Sequence, residues 1–452
     1  MNIKIDSRKI EPGDTFIAIR ELNGDGHKYI EDAIINGATT IIAEEGDYSV
    51  NTIIVKDTKK YLEEYLENNY YDEIKKLKLI GMTGTNGKTT TCYLIYQGLN
   101  KLGIKCAYIG TLGFYLTDEK RKSNNTTPNL YELYNMLLEC SKKDYEYVVM
   151  EVSSQGISMG RVNTLIFDYV IFSNLTQDHL DYHKSIEDYV LEKQKLFKMT
   201  NNSIAIVNND DAYKNYFILD NNKNITYGES DSDYKISNIK SSLDGSYFNI
   251  NDEEYFTKLI GEYNIYNVSI VIILLKLLNV ENISEVIKDL TSPDGRMDII
   301  KYNGNTIIVD YAHTPDAVEK IIKAVSKLDH NEIITLVGCG GNRDKTKRSI
   351  MGDIATKYSD YVVFTSDNPR FEKPKNILKD ITCKLDKENY RIIVNRKKAI
   401  KKSIQMLTKN DILLLLGKGH EDYQIIKDKK ISFSDKDIVL KYTRRWINKC
   451  IN

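Results

Sequence analysis

Residues 81–91 read GMTGTNGKTTT, a glycine-rich turn set between the apolar run LKLI (77–80) and a stretch of helical periodicity. A turn of this kind holds phosphate, because its backbone N–H groups and the N-terminus of the following helix face an anion. The common phosphate loop is G-x-x-x-x-G-K-[ST]. Counting back five from Gly87 lands on Met82, so the glycines here, Gly81, Gly84 and Gly87, make a variant of it. The physics survives the change. Gly84, Thr85, Asn86 and Gly87 form the cradle, Lys88 reaches the outer phosphates, and Thr89 or Thr90 offers a hydroxyl to Mg2+.

The same passage from apolar run to polar loop recurs on either side. LKLIGMTGTNGK, EYVVMEVSSQG, DYVIFSNLTQDHLD and SIAIVNNDD form one set; NTIIVDYAHTPD, EIITLVGCGGNRD, DYVVFTSDNPR and DILLLLGKGHED form a second in the last third. Short apolar runs alternating with helical patterns indicate βαβ units and parallel sheets, whose ligands bind at the carboxyl ends of the strands. Two sets imply two α/β domains facing a shared cleft, joined at SPDGRMD near residue 294. Residues 1–76 hold short strand patterns, a helical stretch from Ile30 to Gly37, and the acidic YLEEYLENNYYDEIKK, read as a helix ending in a linker. The expected fold is α/β with three domains: a small α/β unit (1–76), a central P-loop parallel-sheet domain (77–293), and a Rossmann-like domain (294–452).

A chain of 452 residues needs more than one core. Its net charge of −1 supplies no overall basic field for nucleic acid or an anionic membrane. The cysteines (Cys92, Cys106, Cys140, Cys339, Cys383, Cys450) are scattered without a C-x-x-C pair, so neither a disulfide framework nor a zinc site is indicated. The opening MNIKIDSRKI lacks an apolar signal segment, and VSIVIILLKLLNV (268–280) is too short to span a bilayer, so it reads as a buried helix. A cytoplasmic, monomeric enzyme of small-molecule substrates is expected, without nucleic acid or membrane insertion.

Five of the six histidines, His27, His179, His183, His313 and His420, fall in polar loops. Glu151 ends the run YVVM; if that strand lies beside the phosphate-loop strand, its carboxylate is placed to hold Mg2+. The competing reading is a helix-capping glutamate. His179, just past the next strand, is a further candidate ligand.

GMTGTNGKTTT, NNTTPNLYEL, MEVSSQGISMGRV, SNLTQDHLDYH, EKQKLF, GEYNIYNV, DGRMD, VDYAHTPDAVE, GCGGNRDKTKR, SDNPRFEKP and GKGHEDYQ, in that order, together resemble the Mur ligase family, and DSRKIEPGDTFIAI with DGHKYIEDAI resembles its first domain. The resemblance spans nearly the whole chain and is strongest to the branch that adds the third residue of the peptidoglycan stem peptide. It implies a reaction requiring Mg2+ and ATP. ATP phosphorylates the D-glutamate side-chain carboxylate of UDP-N-acetylmuramoyl-L-alanyl-D-glutamate, and the amino group of a diamino acid attacks the acyl phosphate.

Residue by residue, the resemblance implies catalytic roles for Lys88, Glu151, His179 and Lys193, and metal ligation by Thr89, Glu151, His179 and Lys193. Lys193 would act as N6-carboxylysine: a cationic lysine has no free lone pair for a metal, whereas the carbamate it forms with CO2 is an anion. Asn264, Asn267, Arg296 and Asp310 would meet ATP, with His313 packed by the nucleotide. Ser7, Arg8, His27, Thr126, Thr127, Ser153 and Arg161 would hold the uridine nucleotide. Arg343, Asp367, Asn368, Pro369, Arg370, Gly417 and Glu421 would meet the amino acid. The Asp-Asn-Pro-Arg loop accompanies meso-diaminopimelate in this family, since an arginine fork binds its distal carboxylate and L-lysine has none.

Three departures fall on the nucleotide-substrate side: an opening shorter than the family's, Gln155 in place of a histidine, and Met159 in place of a glutamine. They keep open an L-lysine-adding version and a relative that uses another carboxylate acceptor. A non-enzymatic nucleotide-binding regulator predicts loss of Lys88, Glu151, His179 or Lys193, and all four are present.

Overall fold

The strand that delivers the phosphate loop, Lys78–Thr83, lies in the middle of an 11-stranded sheet. The order across that sheet is Lys120–Arg121, Gly113–Tyr115, Cys106–Gly110, Tyr147–Glu151, Lys78–Thr83, Phe167–Phe172, Thr200–Asn208, Lys223–Gly228, Tyr234–Ser242, Gly245–Ile250 and Glu253–Thr257. The strands from Cys106–Gly110 to Tyr234–Ser242 in that order pair in parallel, and antiparallel hairpins close both ends. The computed structural model describes residues 2–21, 24–178 and 182–450, without the side chains of Glu21 and residues 444–450.

Successive strand residues point to opposite faces, and both faces are covered. This is why the central strands read as unbroken apolar runs. Ile80, Val149 and Ile171 share a core with Leu94 and Leu99 of helix Lys88–Lys101 and with Val268 and Ile272 of helix Glu262–Leu277. The second helix is the apolar run at 268–280, and its burial on every side explains the absence of a polar stripe. Leu79, Val148 and Val170 pack the other way, onto Leu133 and Leu137 of helix Leu130–Lys142.

That second core continues without a break into a four-stranded parallel sheet ordered Ile3–Lys4, Thr15–Ile17, Thr40–Ala43 and Asn51–Ile54, through Ile17, Ile42 and Leu66. The acidic, tyrosine-rich stretch is the helix Thr58–Ile74, started by Asp57, whose carboxylate accepts from the Lys60 N–H at 2.9 Å.

The third sheet has six strands ordered Asp298–Tyr302, Asn305–Asp310, Ile412–Leu416, Ile333–Val337, Tyr361–Phe364 and Tyr390–Ile392, all parallel after the antiparallel first. Helices Pro315–Ser326, Thr346–Tyr358 and Pro374–Thr382 cover one face, Arg396–Met406 and Asp435–Cys450 the other. A buried ion pair fixes the second layer. Arg396 donates to Asp435 at 2.9 and 2.6 Å and to the Leu416 carbonyl at 2.9 Å, pinning the last helix beneath a strand end. Among the described residues no helix is long and apolar enough to cross a membrane.

Candidate active site

The phosphate loop is held in shape by the loop after the neighbouring strand. Asn174 accepts the Thr85 N–H on its carbonyl at 2.8 Å and the Asn86 N–H on Oδ1 at 3.0 Å. Ser173 Oγ donates to the Asn86 carbonyl at 2.7 Å, and the Thr176 N–H donates to Thr85 Oγ1 at 3.0 Å. Gly84 (φ +147°) and Gly87 (φ +89°) are required in two ways: the backbone is left-handed, and a Cβ would stand 2.0 Å from Ser173 Oγ or 2.6 Å from Asn267 Oδ1. Asn267 accepts from Thr91 Oγ1 and donates to Asn264 Oδ1, both at 3.0 Å, so the two asparagines form a linked pair beneath the loop.

Glu151 pairs in register with Met82, so its strand does neighbour the phosphate-loop strand. The capping alternative falls, because the cap of helix Ser154–Ser158 is Ser153, whose Oγ accepts from the Gly156 N–H at 3.1 Å. The buried Glu151 carboxylate is saturated. Oε1 accepts from Tyr108 OH at 2.5 Å and the Thr111 N–H at 2.9 Å; Oε2 accepts from Thr89 Oγ1 at 2.9 Å and Thr111 Oγ1 at 3.1 Å.

Two lysines converge on one carbonyl. Lys88 Nζ donates to the Gly84 and Thr85 carbonyls at 2.7 and 3.0 Å, and Lys193 Nζ donates to the same Gly84 oxygen at 2.9 Å. Burial, then repulsion from Lys88, pushes the Lys193 pKa well below its ordinary value, and burial lowers that of Lys88. A neutral Lys193 amine is the form that adds CO2. His179 lies outside the described residues. Among the described residues no three His, Cys, Asp or Glu side chains are grouped for a metal. The donors present are the Thr89 hydroxyl and the Glu151 carboxylate, hard oxygens that suit Mg2+; Lys193 fits such a set only as its carbamate.

A cavity of about 790 Å³ opens between the two larger sheets, lined by Asn86, Thr90, Asn264, Asn267, Arg296 and His313 among others. The Arg296 guanidinium lies 4.5 Å over the Tyr311 ring, with Nη2 3.4 Å from Thr89 Oγ1 and a buried Nε that has no protein partner, a donor left for an anion. His313 is pushed towards the neutral form by burial, and its Nδ1 lies 2.9 Å from the Tyr311 carbonyl. Asp310 lines the same cavity. Its oxygens accept the Met297 and Ala312 N–H groups at 2.7 Å each, so it braces the Arg296 turn. Across the seam, Asn86 Nδ2 donates to Asp316 Oδ2 at 2.9 Å.

The residues expected to hold the uridine nucleotide fall into two groups. Thr126, Thr127, Ser153 and Arg161 form one patch beside Glu151. Thr126 Oγ1 is 3.0 Å from Thr111 Oγ1, and Thr127 Oγ1 donates to the Glu151 carbonyl at 3.0 Å. The Ser153 N–H donates to Thr127 Oγ1 at 3.0 Å, and Arg161 Nη1 donates to the Thr127 carbonyl at 2.7 Å. Ser7, Arg8 and His27 lie in two 3-10 turns beside the first sheet, Ser7–Lys9 and Gly26–Tyr29, and among the described residues no hydrogen bond joins them to that patch. Arg8 is exposed and pairs with Asp6 at 2.9 Å, whereas Ser7 is buried. His27 has both ring nitrogens engaged: Nδ1 lies 2.7 Å from Asp25 Oδ1, and Nε2 accepts the Glu44 N–H at 2.9 Å, so it ties two loops of the first sheet together.

The amino-acid candidates gather at the carboxyl end of the third sheet. Arg370 adopts φ +50° and is clamped there by N–H donation to the Ile425 carbonyl (3.1 Å) and acceptance from the Lys427 N–H (2.8 Å). Its guanidinium donates to the Gly341 carbonyl at 3.0 Å; burial and the nearby Arg343 lower its pKa. Two crowded guanidinium groups are an anion site in waiting. Pro369 accepts the Glu372 N–H at 3.0 Å, and the Gly417 N–H donates to the Asp310 carbonyl at 3.1 Å, joining this loop to the nucleotide side. Asp367 is buried, and Asn368 Nδ2 donates to Glu421 Oε2 at 2.8 Å. Sequence reasoning missed Tyr108, Thr111, Asn174, Tyr311 and Lys418; the last four lie just past a strand end, their only clue, and Tyr108 sits mid-strand with none.

Comparison with known proteins agrees along the chain. Residues 1–75 match the Mur ligase family catalytic domain, 82–275 the Mur ligase middle domain, and 295–419 the Mur ligase glutamate ligase domain. A UDP-N-acetylmuramoyl-L-alanyl-D-glutamate–2,6-diaminopimelate ligase of Clostridium perfringens is 43% identical over 97% of this chain and 94% of its own. One of the same name from Aquifex aeolicus is 40% identical over 97% and 92%. A solved structure of a ligase so named is 31% identical with a TM-score of 0.68, covering 98% of this chain and 94% of that one. A MurF ligase from Thermotoga maritima in complex with ADP shares the fold at 18% identity, with a TM-score of 0.71 and coverage of 99% and 98%. Given relatives this similar along almost its whole length, the chain belongs to the Mur ligase family.

Proposed function

We propose that this chain is the ATP-dependent ligase that joins meso-diaminopimelate to UDP-N-acetylmuramoyl-L-alanyl-D-glutamate, working as a cytoplasmic monomer. The division of labour is 1–76 for the acceptor, 77–293 for ATP and 294–452 for the amino acid. The carrying observation is the seam. The phosphate loop of one sheet and the Arg296 turn leading into the next meet at 3.4 Å, and Asn86 reaches Asp316 across the gap at 2.9 Å.

In this reading the γ-phosphate of ATP lies on the loop N–H groups, Lys88 and the free Nε of Arg296. An oxygen of the acceptor's D-glutamate carboxylate attacks phosphorus, and the bond to ADP breaks. The diaminopimelate amine then attacks the acyl carbon, the C–O bond to phosphate breaks, and the amine gives up a proton as the amide forms. Catalysis is positioning and charge neutralisation. Mg2+, held by Thr89, Glu151, His179 and carboxylated Lys193, neutralises phosphate charge when bound. Asn264, Asn267 and His313 shape the nucleotide pocket, which Asp310 braces. Thr126, Thr127, Ser153 and Arg161 hold the acceptor next to Glu151, with Ser7, Arg8 and His27 towards the uridine. Arg343 and Arg370 take the distal carboxylate.

The test is phosphate release and product mass with Mg·ATP and the acceptor, supplying meso-diaminopimelate, L-lysine or neither. Product only with diaminopimelate is expected. Product with lysine alone rejects the role of Arg370, and no product with either rejects the acceptor.

A further inference from the structure

Lysine is almost never fully buried unless paired. Lys418, between Gly417 and Gly419, has no exposed surface. Its Nζ donates to Glu421 Oε2 at 2.7 Å and to Asn368 Oδ1 at 3.2 Å, and Asn368 Nδ2 donates to the same Glu421 oxygen at 2.8 Å. The triangle locks the loop after Leu416 to the Asp-Asn-Pro-Arg loop and fixes the charge of the pocket. Oε2 of Glu421 takes both bonds, which leaves Oε1 for another partner. Arg343, Arg370 and Lys418 stand against Asp367 and Glu421, three cations against two carboxylates, so one positive charge is in excess. The neighbouring groups do not reverse that sign: Arg396 is matched by Asp435, Asp422 at the rim is paired with Lys122 at 2.6 Å, burial drops the His420 pKa to about 4, and Arg296 and Lys347 nearby add positive charge.

We propose that Lys418 is a specificity-determining positioning residue, setting the pocket's charge so that a zwitterionic side-chain end is accepted and a lone ammonium is refused. A terminus carrying both ammonium and carboxylate meets both signs, Glu421 Oε1 for one and the arginine pair for the other. A bare ammonium enters a pocket that is already positive, and discrimination by like charge needs no further contact. The inference rests on the amino-acid role proposed for this site.

The experiment compares Lys418→Met, which keeps length and removes charge, with the wild type. It measures kcat/KM for meso-diaminopimelate and L-lysine, KM for ATP, and calorimetric affinity for each amino acid. The preference for diaminopimelate is expected to narrow at least about ten-fold, the scale of one charged hydrogen bond, through KM more than kcat. KM for ATP stays within about two-fold, and Lys418→Arg restores the preference. An unchanged preference, or equal losses for both amino acids, overturns the proposal. Should Lys418→Met fail to fold, Lys418→Gln, which keeps a donor for Glu421 and Asn368 without the charge, takes its place, and an undiminished preference there overturns it equally. A wild type that turns over neither amino acid refutes the reaction reading instead, and the calorimetric ratio still decides Lys418.

Discussion

Replacing Tyr108 by phenylalanine isolates one hydrogen bond of the Glu151 carboxylate. The ring stays, packed against Tyr93, Tyr96 and Tyr115 at centroid distances of 6.4, 6.5 and 5.4 Å. What goes is the hydroxyl, which donates to Glu151 Oε1 at 2.5 Å and accepts the Leu112 N–H at 3.3 Å. A hydrogen bond to a carboxylate contributes about 1.5–3 kcal/mol. Glu151 keeps three other donors, two from Thr111 and one from Thr89, so the lower figure applies. About 1.5 kcal/mol is roughly ten-fold in affinity, at the lower edge of the ten- to hundred-fold typical of groups that orient a metal ligand. The half-saturating Mg2+ concentration should therefore rise about ten-fold, while kcat at saturating Mg2+ stays within about three-fold of wild type. Electron paramagnetic resonance of Mn2+ bound to the nucleotide complex reports the same shift without turnover. Tyr115→Phe, in the same ring cluster but away from the carboxylate, serves as the control. A Tyr108→Phe protein with wild-type Mn2+ affinity, beside a Glu151→Gln protein that has lost it, would refute the reasoning; if Glu151→Gln also binds normally, the metal role of Glu151 is what fails.

Lys193→Ala should lower kcat at least about a hundred-fold, the scale of losing one charge-stabilising group, with partial rescue by acetate or propionate; full activity would remove Lys193 from the site. Arg370→Ala should raise KM for diaminopimelate at least about ten-fold and leave KM for ATP within about two-fold; parallel losses would sink the assignment. Glu372 is held at a pKa of about 2 by the Arg348 guanidinium, which donates at 2.9 and 3.0 Å. Its folded pKa lies below the ordinary value, so its contribution is full above about pH 4.5 and fades as pH falls towards 2. Urea unfolding from pH 7 to 3 should show Glu372→Gln losing about 1–2 kcal/mol less than wild type across that window, allowing for solvent screening; parallel acid limbs would refute it.

What the sequence disclosed depended on how far each interaction reached along the chain. Strand-to-loop transitions are local, so the parallel sheets, Gly87, Lys88 and the placement of Glu151 at a strand end were all legible. So was the helix at 262–277, because a run apolar on every side has few other places to go. Tyr108 was not, since its hydroxyl meets a carboxylate 43 residues away across a strand pair whose neighbours only the folded sheet defines. That the Glu44 N–H closes on the second ring nitrogen of His27 was not legible either, since the two lie 17 residues apart. Asp310 was legible from its place at a strand end, but its bond to the Met297 N–H, 13 residues back, was not.

Ile17, Ile42 and Leu66 lie in the same apolar body as Leu130, Tyr134 and Leu137. The first sheet is therefore not a cassette. A chain begun at residue 77 would leave one side of helix Leu130–Lys142 stripped to water, and a transplanted first sheet would land on a surface cut for another. Recombination at that junction is closed unless the helix face travels too, so a new acceptor has to be won by substitution in place, one side chain at a time. The third sheet is no freer: its core takes in Ile260 from the segment just before helix Glu262–Leu277.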